Sequence, residues 1–250
     1  MTPTALDFFD CNARIGRPTV FREGQITTTD ELLAEMDYAG IGRALVYHTL
    51  AAEWSPNDGN DMLRQELAGQ NRLYPCFVAL PPATGEMPDP DGFARMVREA
   101  HGAVRLFPQD HTFSLLDWCA GPLLEALAAH SVPVLVHIGQ TSWGELSAVL
   151  SAHPDLPLIL LGTYYRVDRC LYPLWERHDN LFVESTTYQT FRGIESVCAR
   201  FGASRLVFGT NLPELETGGA MTPILYADIP QEDRAAIASG NLMRLLGIEH

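Results

Sequence analysis

The residues able to do chemistry in this 250-residue chain sit where short apolar runs stop or are interrupted. Asn12 and Arg14 follow "ALDFF", His48 follows "RALVY" and Arg105 interrupts "AVRLFP". His137 ends "VPVLV", Thr163 follows "LPLILLG", Glu184 ends "NLFV" and Asn211 ends "RLVFGT". A histidine titrates nearest neutrality, so His137 is the candidate for moving a proton. Arg14 and Arg105 present planar forks that grip a carboxylate or phosphate through two N–H groups at once. Asn12, Thr163 and Asn211 orient a ligand by hydrogen bonds. His48, His137 and Glu184 have donor types that zinc takes, so one divalent metal on those three is the alternative to a site without a cofactor. Each residue also has a plainer reading. His48 suits a packed, hydrogen-bonded strand histidine, and Glu184 suits a partner that neutralises one of the arginines.

The apolar runs are strand candidates, and helical segments separate them. The strands are "ALDFFDCN", "RALVYHTL", "LYPCFVALP", "AVRLFP", "VPVLVHIG", "LPLILLGTYY", "NLFVEST" and "SRLVFGTN". The helices begin with "TTTDELLAEMDYAG", where Thr or Asp caps the start and Gly40 ends it. "LLDWCAGPLLEALAAH" reads as helical on either side of a Gly-Pro break, and "QEDRAAIASGNLMRLLGI" closes the chain as a helix. "ETGGAM", residues 216–221, reads as a flexible loop. Apolar strands joined by helices of this length imply a parallel sheet with right-handed crossovers. Eight such units fill about 250 residues as a closed (β/α)8 barrel, taken as one domain over residues 1–250. The active site of such a barrel lies at the C-terminal ends of its strands, where the polar residues collect. Strand alternation places Ala44, Val46 and His48 on one face, and Leu135 with His137 on one face. The same alternation turns Cys11 away from Asn12, toward the surrounding helices.

The formal net charge of −14 argues against a basic nucleic-acid face and against an anionic membrane surface. Five scattered cysteines, with no CxxC, read as reduced thiols in a cytoplasmic protein. The first residues show neither a basic n-region nor an apolar h-region, so no leader is expected.

The order of the motifs resembles the amidohydrolase superfamily, in particular its amidohydrolase-2 branch of TIM-barrel metal-dependent hydrolases. "FDCNARIG" is similar to the strand-one D-x-H-x-H segment, and "PVLVHIG" to the strand-five segment with its histidine ligand. "LPLILLGT" is similar to the strand-six segment ending in Gly-His, "RLVFGTNLP" to the strand-eight Gly-Ser/Thr-Asp segment, and "GNLMRLLGI" to the closing helix. The resemblance implies a divalent metal that activates water or assists non-oxidative decarboxylation, and often a homo-oligomer. Residue by residue, His137 keeps the strand-five ligand. Asn12 and Arg14 stand for the strand-one histidines, Thr163 for the strand-six histidine and Asn211 for the strand-eight aspartate. Arginine has no lone pair to give, and asparagine takes no proton from water.

Three functions follow from these residues. The first is a divergent enzyme, hydrolase or related lyase, acting on a small anion without the usual metal, with His137 as its proton-transfer group. The second is a non-catalytic relative that binds a small carboxylate or phosphate. The third is a metal-dependent hydrolase with unconventional ligands.

Overall fold

The computed structural model describes residues 6–249. The reading of a leader-free start concerns Met1–Ala5, which lie outside the described residues, as does Ala5 of the first strand candidate. Eight strands form: β1 (Phe8–Ile15), β2 (Ile41–His48), β3 (Leu73–Val78), β4 (Ala103–Leu106), β5 (Val134–His137), β6 (Leu158–Leu161), β7 (Leu181–Glu184) and β8 (Leu206–Val207). They pair in parallel in chain order with helices between them, which makes a (β/α)8 barrel.

The seam between β8 and β1 is closed partly by backbone and partly by one carboxylate. Cys11 N donates to Phe208 O at 3.0 Å, and Arg14 N donates to Leu212 O at 3.0 Å. Asp10, fully buried, accepts from Asn12 N at 2.8 Å, from Thr210 N at 2.9 Å and from the Thr210 hydroxyl. Burial pushes the Asp10 carboxyl up to about 6 against these three hydrogen bonds, which pull it down.

Strand alternation sorts the core into two sets. Ala44, Val46, Val104, Val134 and Leu160 pack outward with helix residues such as Leu32, Leu63 and Leu124. Phe9, Leu45, Cys76, Leu135, Ile159, Phe182 and Val207 fill the barrel interior, joined by Leu242 and Leu246 of the last helix. Cys11 belongs to this interior set, contrary to the alternation argument. The reason is a register shift between Asp10 and Ala13, a bulge that lets Cys11 and Asn12 both face inward.

The helix Thr29–Ala39 starts as its sequence dictates: Thr28 and Glu31 form a reciprocal capping box, and Gly40 ends it in the left-handed region at φ 78°. Two expectations fail. The Gly-Pro pair does not break Asp117–Ala129, because Pro122 removes a single N–H and the helix runs on through it. "ETGGAM" is not a loop: helix Thr217–Leu225 forms there, with Ala220 and Ile224 buried on the core. The packing of that apolar face outweighs the low propensity of Gly218 and Gly219. Among the described residues no helix is long and apolar enough to cross a membrane.

Candidate active site

One layer of inward-facing residues lies at the mouth end of the barrel, above the apolar interior. Arg105 is its centre. It is buried, with its guanidinium carbon 4.4 Å from the centroid of Tyr47 and 5.2 Å from that of Phe107. These contacts follow from alternation: Tyr47 is two residues after Leu45, and Phe107 two after Arg105. Arg105 Nη1 donates to Asn12 Oδ1 at 2.5 Å, while its Nε is buried without a partner. No carboxylate among the described residues lies in ion-pair contact with this guanidinium.

Glu184 shares the layer. Its side chain packs on Gly209, where an added Cβ would lie 2.5 Å from Oε1, and Oε1 has no hydrogen-bond partner. Burial first, and the nearby Asp10 second, push this carboxyl up to about 8. The Thr186 and Gly162 backbone N–H groups and Arg105 pull the other way and do not offset it. Glu184 is therefore a neutral carboxylic acid near pH 7. Thr163, two residues past the end of β6, is fully buried, and its hydroxyl is also unpartnered.

His137 stands at the end of β5, exposed at the mouth. Its ring crosses Gly162, which has φ +71° and where a Cβ would come within 1.9 Å of Nε2, so only glycine fits. Gly139 N donates to His137 Nδ1 at 2.9 Å. That bond uses the Nδ1 lone pair, so the neutral ring carries its proton on Nε2 and offers a donor. Desolvation, helped by Arg105, lowers the His137 value and keeps the ring neutral.

Arg14 is placed at the mouth, but it is already engaged. Its Nη1 donates to Thr49 Oγ1 at 3.0 Å, and its Nη2 pairs with Glu214, which also accepts from Gln25 Nε2 at 2.8 Å. The anion clamp expected from two free arginines is thus half closed, by a carboxylate from the segment after β8. Asn211 adopts a left-handed backbone at φ 58°, which asparagine tolerates, and its carbonyl accepts from Glu214 N at 2.8 Å. The turn made by Asn211 carries Glu214 back toward Arg14.

His48 is not brought to the mouth. On β2, Leu45 and Tyr47 face inward, so His48 shares the outward face of Ala44 and Val46. Its ring packs on Gly16, Nδ1 accepts from Leu50 N at 3.0 Å, and Nε2 lies 3.8 Å from Glu66. The metal alternative on His48, His137 and Glu184 therefore has no geometry behind it. Among the described residues no group of three His, Cys, Asp or Glu side chains could hold a metal ion. His137 also has the wrong polarity, since a metal-bound Nε2 needs Nδ1–H donating to an acceptor, and here Nδ1 accepts. With Arg14 and Arg105 alongside, the donor set does not fit the divalent metal that the resemblance implied.

Sequence reading missed Tyr47, Phe107, Glu214 and Asp10. Alternation from Leu45 and Arg105 carried the signal for the two aromatics. Nothing local marked Glu214, whose partner lies 200 residues away.

Comparison with known proteins gives three findings. The family model described as amidohydrolase matches residues 55–248. Solved structures share the fold over nearly the whole chain. A 5-carboxyvanillate decarboxylase from Sphingomonas paucimobilis superposes with TM-score 0.73 at 15% identity, covering 98% of this chain and 100% of that one. A 2,6-dihydroxybenzoate decarboxylase from Rhizobium gives 0.70 at 15%, covering 97% and 99%. A 5-carboxyvanillate decarboxylase from Novosphingobium aromaticivorans, complexed with manganese and 4-hydroxy-3-methoxy-5-nitrobenzoic acid, gives 0.74 at 13%, covering 97% and 96%. No curated protein sequence matches the chain.

Proposed function

The chain belongs to the amidohydrolase family, and from that premise we propose that its mouth binds a small carboxylate, of the aromatic-acid class, without a divalent metal. The observation that carries this reading is Arg105: a buried guanidinium without a hydrogen-bonded carboxylate, with Nε unpartnered. A buried cation of this kind is stabilised by an anion brought to it. His137 Nε2–H is the second donor of the proposed site, with Asn12 and Thr163 as orienting groups and Asn211 holding the turn. The decarboxylases of like fold act on anionic aromatic acids, which agrees with this ligand class.

The chemistry of the layer favours a lyase over a hydrolase. Hydrolysis needs a group that takes a proton from water. Glu184 is protonated, the His137 Nδ1 lone pair is in use, and Asn211 takes no proton. Non-oxidative decarboxylation needs the reverse, an acid. The C–C bond to the carboxylate breaks, CO2 leaves, and the proton of the Glu184 carboxyl goes to the carbon that lost it. Solvent then reprotonates Glu184. Arg105 and His137 act in this scheme only by binding and orienting the acid.

Titration calorimetry with 2,6-dihydroxybenzoate in the presence of chelator tests the reading. The parent chain should bind saturably. Arg105→Met, which keeps the apolar stem, should bind about 10- to 100-fold more weakly, the worth of a charge-assisted hydrogen bond. Glu184→Gln should bind the acid but release no CO2. Unchanged affinity in Arg105→Met sinks the proposal.

A further inference from the structure

Between β1 and the helix Thr29–Ala39, the chain makes a strap over residues 16–27. Its base is closed, because Gly16 N donates to the Thr27 carbonyl at 2.7 Å. Surface segments of this length whose ends meet are Ω-loops. Little apolar packing holds the strap: Pro18 is buried, but residues 19–24 are exposed, Val20 at 79%. Side-chain hydrogen bonds pin it at two points instead. On the β2 side, Thr19 N donates to Glu53 Oε2 at 2.7 Å, and Trp54 Nε1 donates to Thr19 Oγ1 at 3.2 Å. On the β8 side the pin is Gln25. Its Nε2 donates to Glu214 Oε1 at 2.8 Å, and its Oε1 accepts from Arg22 N at 3.4 Å.

We propose that Glu214 is a latch: it occupies Arg14 in place of a ligand carboxylate and, through Gln25, ties the strap down until that carboxylate displaces it. The proposal rests on the reading that the mouth binds a carboxylate. Three observations carry it. First, one oxygen holds both groups. Glu214 Oε1 takes Arg14 Nη2 and Gln25 Nε2 together, so a carboxylate turned off the arginine leaves Gln25 as well. Second, the two partners of the ion pair differ in freedom. Arg14 is 9% exposed, stands in register with Tyr47 on β2, and donates from Nη1 to Thr49 Oγ1 at 3.0 Å. Thr49 Oγ1 in turn lies 2.8 Å from the Ile15 carbonyl and 2.9 Å from that of Gly16. Arg14 is thus held in place, whereas the Glu214 side chain is 36% exposed. An ion pair with one partner this exposed is weak, so a ligand carboxylate competes with it. Third, Glu214 has room to move. A cavity of about 220 Å3 lies between Gly24, Gln25 and Ile26 of the strap and the segment from Leu212 to Glu216. Glu35 and Glu216 line it too, so a displaced Glu214 turns out to water and meets no second cation there.

Trypsin reads the strap, because Arg22 is exposed on it and the Arg22–Glu23 bond lies between the two pins. Cleavage there tracks the fraction of chains whose strap is loose. Gln25→Ala keeps the Arg14–Glu214 pair and removes the pin; Glu214→Ala removes both. Without ligand, each variant should be cut after Arg22 about 3- to 10-fold faster than the parent chain, the scale of one hydrogen bond. Saturating 2,6-dihydroxybenzoate should bring the parent to the same rate and add nothing in either variant. A ligand that only stabilises the fold does the opposite and slows cleavage. Parent-like cleavage in either variant overturns the latch, whether or not the acid binds. Slowed or unchanged cleavage of the parent, at acid concentrations that calorimetry shows to be saturating, overturns the coupling and leaves the mouth's ligand class standing. Absence of binding in the calorimeter fails the mouth reading and overturns ligand-driven release with it. The ligand-free rates of the two variants tell that failure from a failed latch.

Discussion

With Glu184 protonated near neutrality, Arg105 keeps a positive charge that no carboxylate touches, and this balance has a pH signature. Glu184 is raised from its ordinary value to about 8 and Asp10 to about 6. A raised acid holds its proton more tightly in the folded chain than in the unfolded one. Its stabilisation is full below the unfolded value and is lost as pH rises through the folded value. The chain should therefore lose stability from about pH 4 upward, with the Asp10 part complete by about pH 6 and the Glu184 part continuing to about pH 8. Glu184→Gln stays neutral throughout and should flatten the upper part of that fall. A series of melting temperatures across the range checks it; an unchanged slope above about pH 7 rules Glu184 out as the group responsible. A second residue-scale outcome concerns Arg14. Its pairing with Glu214 competes with any bound anion, so Glu214→Gln should tighten benzoate binding by about threefold, the scale of one half-exposed ion pair. Calorimetry reads this directly, and no gain means that Arg14 lies outside the ligand's reach. The side chains Asn12, Arg14, Arg105, His137, Thr163 and Glu184 were legible in the sequence as residues at strand ends. Their states were not, because a tautomer, an ion pair or a neutral acid depends on neighbours far along the chain.

Among the elements, β1 departs from regular geometry and carries the seam. Its bulge turns both Cys11 and Asn12 inward and leaves the Asp10 carboxylate to bind Thr210 across the seam. Asp10→Asn keeps the shape but replaces one acceptor oxygen with a donor that faces donors. It should cost about 1–3 kcal/mol, the penalty of leaving buried partners unsatisfied. Urea unfolding measures the loss; a change within about 0.5 kcal/mol would show that the backbone bonds close the barrel without Asp10. The strands themselves were readable, since apolar runs of four to eight residues between helices leave few alternatives. What alternation cannot show is a bulge, and β1 misled the reading of Cys11 for that reason. His48 failed differently. Two faces of a strand buried on both sides look alike in sequence, and the period alone does not say which one is inward. Helix Thr217–Leu225 was hidden by its glycines, because only the tertiary surface under Ala220 and Ile224 makes a helix there worthwhile.

On the scale of the whole molecule, the closed sheet brings eight strand ends around one mouth, so replacements far apart in sequence act on a single site. Asn12, Arg14, Thr163 and Asn211 stand where the resemblance places three histidines and an aspartate. His137 remains, with its lone pair turned to a backbone N–H rather than to a ligand. One such change weakens a metal site. Four, with a guanidinium among them, replace its negative and neutral donors by a cation and by amide or hydroxyl groups that bind zinc poorly. The chain purified without chelator should then carry well under one equivalent of zinc, manganese or iron. Added zinc should not raise its melting temperature, because a ligand stabilises a fold only through sites that the folded state presents. The combined variant Asn12→His, Arg14→His, Thr163→His, Asn211→Asp should regain both metal content and a zinc-dependent rise in melting temperature. Near-stoichiometric metal on the parent chain, measured by elemental analysis, would overturn the metal-free reading of the mouth and return Arg105 to a supporting role.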